Sequence, residues 1–294
     1  DKGVCDYPRM RRNNIKFALF AIYPSMSQYN IISGLDDWLK FVTKPENNLT
    51  HIKSIEDFEN VAKTNNIGAI LHTEGAGGFD SEFMLLRLAA RLGMRTMGIT
   101  WANTNQFGTG FLFQGDQIDR GLTSEGRQLV HEAQRLGITV DVSHLNDQSF
   151  SDVLEITEKP LMATHSNARS ISNMGRNLTD AQIQAMHANH GVIGLNFGAM
   201  FLDPAIDKAN LSKFDPDLSF AVFKQHIDQI VIQADVTTVA FGTDFDGTTL
   251  PTCLDSCDKL TEFYDYLLEN GYSQQDLQKM TYDNFYRVFK ATWI

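Results

Sequence analysis

The feature that most constrains the fold of this chain is the segment of residues 137–166. It contains two short apolar runs, rich in Val, Ile, Leu and Thr, and residues 148–158 between them have helical spacing. This pattern predicts a β-strand, an α-helix and a second β-strand. Because such crossovers are right-handed, we expect the two strands to be parallel, with their carboxyl ends at one edge of a sheet.

Each of these two strands ends in a histidine, His144 or His165, and both therefore belong to the same sheet edge. A single histidine in such a place is usually an ordinary buried or capping residue. Two further apolar runs end in carboxylates, Glu74 and Asp244. Carboxylates and imidazoles that converge from several strand ends are typical ligands of a catalytic zinc or a related metal. The sequence therefore predicts a metal site at this edge.

Composition limits the kinds of protein that this chain can be and the kinds of partner that it can bind. The chain has 294 residues, of which 43% are hydrophobic, and its net charge is −11 without a basic block. This excludes nucleic acid as an expected partner, and no apolar run is long enough to predict insertion into a membrane. An odd number of cysteines, three, favours reduced thiols and hence a cytoplasmic location.

Strands and helices alternate along the whole chain, without an internal repeat or a linker. We count seven strands, near residues 15, 67, 95, 137, 160, 191 and 237. The pattern predicts an α/β fold in one domain, residues 1–294, with an open or a closed sheet. A closed (β/α)8 barrel needs eight strands, so its first strand would be expected to lie before Asp1.

At these strand ends the sequence resembles the membrane (renal) dipeptidase family of zinc metallopeptidases. The matching pieces occur in the family's order over nearly the whole chain, and the ordered set is far more specific than any one piece. They are Thr-Glu74-Gly, Gly-Met-Arg-Thr-Met-Gly-Ile-Thr-Trp101, Asp141-Val-Ser-His144, Thr-His165-Ser-Asn-Ala-Arg, Arg176-Asn-Leu-Thr-Asp and Phe-Gly-Thr-Asp244-Phe-Asp246-Gly.

The resemblance implies a TIM-like (β/α)8 barrel and a dipeptidase with two zinc ions and a small peptide substrate, and it suggests a homodimer. Glu74 would bridge the two metals, and His144 and His165 would bind one of them. Arg176 would hold the free carboxylate of the dipeptide, a task suited to a planar guanidinium. Asp244 would accept a proton from a metal-bridging hydroxide and pass it to the leaving amine. The second residue of the substrate is expected to tolerate the D-configuration.

Two departures from the family pattern bear on this expectation. The family's first strand ends in His-x-Asp, which completes the second metal site, and no such motif occurs near the start of this sequence. We hypothesise that it lies on the strand before Asp1. In the animal enzymes, moreover, a histidine that contacts the substrate stands where this chain has Trp101. Asn103 or Asn105 is expected to donate a hydrogen bond in its place.

Other residues near the site have more ordinary interpretations. Asp141 is expected to orient a histidine or cap a strand, and Asp246 to support the site indirectly or form a turn. The Phe-rich loop of residues 107–113 suits packing and a substrate wall equally. Two alternative functions remain: hydrolysis of another amide, such as an N-acyl amino acid, and a degenerate barrel that binds without turnover.

Overall fold

The fold is described from a computed structural model of the chain that covers residues 3–112, 120–203, 205–206 and 218–294. Within these ranges the strands are β1 (Phe17–Ile22), β2 (Leu49–Ile52), β3 (Ile67–Thr73), β4 (Met94–Gly98), β5 (Thr139–Asp141), β6 (Met162–Ala163), β7 (Val192–Leu195) and β8 (Val239–Phe241). The α-helices are α1 (Tyr7–Arg12), α2 (Gln28–Val42), α3 (Ile55–Ala62), α4 (Met84–Arg91), α5 (Ser124–Arg135), α6 (Asp147–Ile156), α7 (Asp180–Ala188), α8 (Ala199–Leu202), α9 (Phe220–Gln233), α10 (Leu260–Glu269), α11 (Gln274–Gln278) and α12 (Asn284–Thr292). None of the described helices combines the length and the hydropathy that a membrane crossing requires.

The chain forms two compact units. The first unit comprises Ile15–Leu161 with Val288–Ile294, and the second comprises Asp1–Asn14 with Met162–Arg287. The first therefore holds β1 to β5 and the second holds β6 to β8. The single domain expected for residues 1–294 stays a prediction.

In the first unit every strand pairing is parallel: β3 pairs with β1, β2 and β4, and β4 pairs with β5. All seven residues of β3 are buried, as expected of a parallel strand that is covered on both faces. Phe58 of α3 stacks on Phe17 of β1, with ring centroids 3.8 Å apart. The same ring meets Phe289 and Trp293 edge-on, so the end of the chain closes the core of this unit.

In the second unit β7 lies between β6 and β8, and both pairings are parallel. A cluster of aromatic rings fills the space beneath these strands, with Phe197, Phe223 and Phe263 all fully buried. Their centroids lie 5.2 to 5.8 Å apart. Helix α7 begins with a capping box, in which the side chains of Thr179 and Gln182 each accept a hydrogen bond from the other residue's backbone N–H.

Strand β2 corrects the strand count made from the sequence. The predicted strands leave residues 25–66 without one, but Leu49–Ile52 forms a fifth parallel strand in the first unit. Its four residues include Thr50 and His51, so the run is too short and too polar to signal a strand. With β2 the described residues contain eight strands, and a strand before Asp1 that carries a His-x-Asp motif stays a prediction.

His226 of α9 is the most deeply buried imidazole of the second unit, with no exposed surface. Its Nδ1 accepts a hydrogen bond from the Ala168 amide, and its Nε2 donates one to the carbonyl of Leu202. This pair of contacts requires the neutral ring. Burial accordingly lowers the pKa of His226 from 6.5 to about 4.

Acid should therefore destabilise the folded state through His226. Between pH 6.5 and about 4 the unfolded chain binds a proton at this ring and the folded chain does not, so stability present at pH 7 is lost as the pH falls. The free energy of unfolding should drop by about 2 kcal/mol between pH 7 and pH 5 on this account. Urea denaturation at both pH values would measure it. His226→Gln should lack this part of the pH dependence, and an equal dependence in both proteins would contradict the assignment.

Candidate functional site

Glu74 and His144, both predicted metal ligands, are brought together in the first unit. The Oε1 atom of Glu74 lies 2.8 Å from Nε2 of His144. The side chains are 18% and 9% exposed, respectively, so solvent screens the pair only in part. The carboxyl ends of β3 and β5 thus place a carboxylate and an imidazole at hydrogen-bonding distance, as the strand pattern predicted.

The backbone around Glu74 is fixed by neighbouring strands. Glu74 is the first residue after β3, and its amide donates a hydrogen bond to the carbonyl of Ile22 at the end of β1. Its own carbonyl accepts one of 2.6 Å from the Ser25 hydroxyl. Gly75 then turns the chain with a φ of +102°, a conformation that favours glycine. The carboxylate is therefore presented from a rigid position.

His144 occupies a left-handed backbone conformation, with a φ of 70°. Such a conformation is uncommon for a residue other than glycine and is often found at functional sites. Two contacts hold the turn that leads to it. The carboxylate of Asp141 accepts the Ser143 amide at 2.9 Å, and the carbonyl of His144 accepts the Phe111 amide at 2.9 Å.

Behind this turn lies a second imidazole and carboxylate, His72 of β3 and Asp141 of β5. His72 Nε2 is 3.6 Å from Asp141 Oδ2, and its Nδ1 is 3.0 Å from the Thr96 hydroxyl of β4. Both side chains are almost fully buried. Asp141 thus lies beside a histidine and tightens the turn before His144, in keeping with the role in orientation that the sequence suggested.

Aromatic rings line the same part of the first unit. The ring of His144 lies 6.2 Å from that of Trp101 and 6.0 Å from that of Phe111, measured between centroids. Tyr23 continues the row, 5.3 Å from Trp101. Partial burial and the nearby charge of Glu74 raise the pKa of the Tyr23 hydroxyl. Tyr23 was missed from the sequence because it follows β1, whose residues gave no other chemical signal.

The two asparagines proposed as hydrogen-bond donors differ in their surroundings. Asn103 is exposed, and its role stays a prediction. Asn105 instead folds its own loop: its amide donates to the Ile99 carbonyl at 2.8 Å, and its oxygen accepts the Phe107 and Gly108 amides. Phe107 is fully buried, so this end of the Phe-rich loop serves packing. Phe113 of the same loop lies outside the described residues.

In the second unit, His165 and Arg176 lie against each other. His165 follows β6 and is 9% exposed, with Nδ1 at 2.6 Å from the Thr164 hydroxyl. Arg176 is 3% exposed and donates to the His165 carbonyl at 2.7 Å and to the Ser166 hydroxyl at 2.8 Å. Its guanidinium also lies 5.9 Å from the centroid of the Phe201 ring. These contacts fix the plane of the guanidinium.

Asp244 and Asp246 lie in the loop after β8, and both have a left-handed backbone, with φ of 57° and 64°. The Asp244 carboxylate accepts a hydrogen bond from the Asn196 side chain at 3.2 Å. Asp246 points elsewhere: it is exposed and accepts the Val4 amide at 2.7 Å. The bond to Val4 agrees with the expectation that Asp246 is a turn residue, and it holds the segment around Val4 in place.

Comparisons with known proteins agree with this assignment of fold and family. The family model described as membrane dipeptidase (peptidase family M19) matches residues 1–293. An uncharacterised protein from the pqqA 5′ region of Klebsiella pneumoniae is 36% identical over 243 residues, which is 82% of this chain and 88% of that protein.

Two solved structures resemble the chain over 99% of its length. One is a metallopeptidase from Rhodobacter sphaeroides bound to a phosphinate mimic of the dipeptide L-Ala-D-Ala, with a TM-score of 0.90, 26% identity and 91% of that chain covered. The other is the dipeptidase AC of family M19, with a TM-score of 0.91, 27% identity and 90% covered. These likenesses confirm the predicted α/β fold of the TIM-like barrel type.

Gly75 offers a test of how tightly the turn after Glu74 is packed. A Cβ at this position would lie 3.0 Å from both the Ser25 hydroxyl and the Trp101 amide nitrogen. Gly75→Ala should therefore combine backbone strain with crowding and lower the free energy of unfolding by about 3 kcal/mol. Chemical denaturation would measure the loss.

Gly271 provides the matched control, because its φ of +108° is similar but a Cβ there meets nothing within 4 Å. Gly271→Ala should cost only the backbone strain, about 1 to 2 kcal/mol. Equal losses in the two variants would show that the contacts around Gly75 are not tight.

Proposed function

Because this chain belongs to the membrane dipeptidase family, peptidase family M19, we propose that it hydrolyses the peptide bond of dipeptides with the help of bound metal. The observation that carries this proposal is the Glu74–His144 pair at the ends of β3 and β5. The two solved relatives, both metallopeptidases, support the reaction class.

The donor atoms of the chain fit a metal ion. We propose that a metal ion would be held by Glu74, His144 and His165, which offer one carboxylate and two imidazoles. Such a set suits zinc, although manganese and cobalt accept the same ligands. We propose zinc, with Glu74 shared between two ions. The second ion would need further ligands, for which the His-x-Asp motif of the family is the candidate.

Metal ions at this site would acidify a bound water to give hydroxide near neutral pH and would polarise the peptide carbonyl. The remaining tasks fall to side chains of this chain. Asp244 would take a proton and return it to the leaving amine, as a general base that becomes a general acid. Arg176 would pair with the terminal carboxylate of the substrate, and this would favour dipeptides over longer chains. Trp101 and Asn103 would contact the substrate.

A D-residue at the second position of the dipeptide is part of the proposal. Its support is the Rhodobacter sphaeroides relative, which binds a mimic of L-Ala-D-Ala. Hydrolysis of L-alanyl-L-alanine and L-alanyl-D-alanine, with zinc added, would test both the reaction and this tolerance. A homodimer and a cytoplasmic location remain predictions from the sequence.

The alternative that the sequence left open is a barrel that binds a peptide without turnover. Stoichiometric dipeptide binding without hydrolysis, even with zinc added, would support that alternative. Turnover of an N-acyl amino acid without turnover of a dipeptide would instead support the other amidohydrolase reaction.

Removal of any proposed ligand should release metal. Glu74→Gln, His144→Ala and His165→Ala should each lower the zinc content per chain, measured by mass spectrometry of the purified proteins, and should abolish turnover. His131→Ala is the matched control, because His131 is an exposed residue of α5. Full zinc content in a ligand variant would refute the role of that residue.

Loss of Arg176 should weaken substrate binding and leave the metal in place. Arg176→Ala should raise KM for a dipeptide about 10- to 100-fold, because a charge-assisted pair with the substrate carboxylate is removed. Steady-state kinetics with parallel zinc analysis would measure this.

Arg169→Ala is the control for that experiment, since Arg169 bonds the carbonyls of Asn177 and Gly175 in the same loop. Its KM should stay near the wild-type value. If KM were unchanged in Arg176→Ala, or raised equally in both variants, Arg176 would not be the carboxylate-binding residue.

A further inference from the structure

Asn196 is a buried polar residue beside Asp244. It is the first residue after β7 and is 1% exposed. The sequence pattern placed it inside an apolar strand of residues 191–197, where it drew no attention. Since β7 ends at Leu195, Asn196 instead occupies the carboxyl edge of the sheet, as Glu74 does after β3.

The orientation of the Asn196 amide follows from its two partners. The backbone N–H of Gly198 can only donate, and it lies 2.6 Å from Asn196 Oδ1. The NH2 group must then face the other way, where Nδ2 lies 3.2 Å from Asp244 Oδ2. Asn196 therefore donates a hydrogen bond to the carboxylate.

Asn196 itself is held from a third side. The side chain of Asn167 accepts the Asn196 amide at 2.9 Å and donates to the Asn196 carbonyl at 3.0 Å. The next residue, Phe197, meets the ring of Phe245 edge-on, with centroids 5.9 Å apart. The backbone, the side chain and the neighbouring ring thus all fix Asn196 relative to the loop that carries Asp244.

We infer that Asn196 is a positioning residue that sets the orientation of the Asp244 carboxylate for proton transfer during dipeptide hydrolysis. The inference rests on the proposed function. A donor that binds Oδ2 restricts rotation of the carboxylate, so that its other oxygen keeps a constant direction. Side chains that orient catalytic groups in this way commonly contribute 10- to 100-fold to activity, on the order seen around metal ligands.

The experiment is a kinetic double-mutant cycle on the zinc-loaded protein with L-alanyl-L-alanine. Asn196→Ala should lower kcat about 10- to 100-fold with little change in KM or zinc content. Asn196→Asp keeps the acceptor for Gly198 but replaces the donor with a negative charge that repels the Asp244 carboxylate, so it should also lose kcat. In the Asp244→Asn background, Asn196→Ala should lower the residual kcat by less than about twofold, because its effect acts through Asp244.

Asn284 supplies the matched control. It is a buried asparagine that donates to the carbonyls of Val236 and Val239, at the start of β8 rather than at its catalytic end. Asn284→Ala should lower Tm and leave kcat within about twofold of wild type. Equal kcat losses in Asn196→Ala and Asn284→Ala would assign Asn196 a general structural role and overturn the inference.

The inference and the proposed function fail in different ways. An unchanged kcat in Asn196→Ala, or an equal loss in both backgrounds, would refute the positioning role while the dipeptidase stands. A wild-type protein without dipeptide turnover would refute the proposed function. In that case the Asn196–Asp244 hydrogen bond is tested by Tm alone. The Asn196→Ala/Asp244→Ala double variant should lose less Tm than the sum of the losses in the two single variants. Additive losses of Tm would overturn the inference.

Discussion

The site depends on the burial of short parallel strands. In β3 all seven residues are buried, and in β7 all four are, so neither strand has a face that tolerates an unpaired charge. Polar residues inside β3, such as His72, are buried with a hydrogen-bond partner, and the first carboxylate or amide side chain follows immediately beyond each strand. Glu74 and Asn196 occupy these positions. The burial that stabilises the strands therefore favours carboxylate and amide side chains at their carboxyl ends.

Left-handed backbone conformations then direct the side chains. His144 and Asp244 each lie three residues after a strand and have φ of 70° and 57°, although neither is a glycine. A residue in this conformation changes the direction of the chain locally, and neither His144 nor Asp244 has a fully exposed side chain. The strain is offset by specific bonds, such as the one from Ser143 to Asp141. His144 and Asp244, both proposed functional residues, thus have the same left-handed backbone conformation in different units.

The sequence alone indicated Glu74, His144, His165 and Asp244 as candidate site residues, because each follows an apolar run. The end of such a run can be recognised from neighbouring residues. Prediction from the sequence failed where the information is not local. Strand β2 is held by its pairing with β3, not by its own polar residues, and a single-sequence pattern carries no record of that pairing. Tyr23 joins the site only because its ring reaches Trp101, nearly eighty positions along the chain.

Asn196 shows the same limit in another form. Its side chain is a short amide within an apolar run. The sequence pattern therefore does not distinguish it from a polar residue that is simply buried in the core. The structure indicates its role through the Gly198 amide, which donates to Oδ1 and so fixes the orientation of the Asn196 side chain.

The residues behind the strand ends also differ between the two units. In the first unit, Asp141 tightens the turn before His144 and lies beside His72, so a charged group supports an imidazole. In the second, Asn196 supports the carboxylate of Asp244 with a neutral amide. The difference follows from charge: a second carboxylate beside Asp244 would repel it, whereas an amide offers a donor at no electrostatic cost. In the second unit the supporting side chain is thus matched to the negative charge of the carboxylate that it holds.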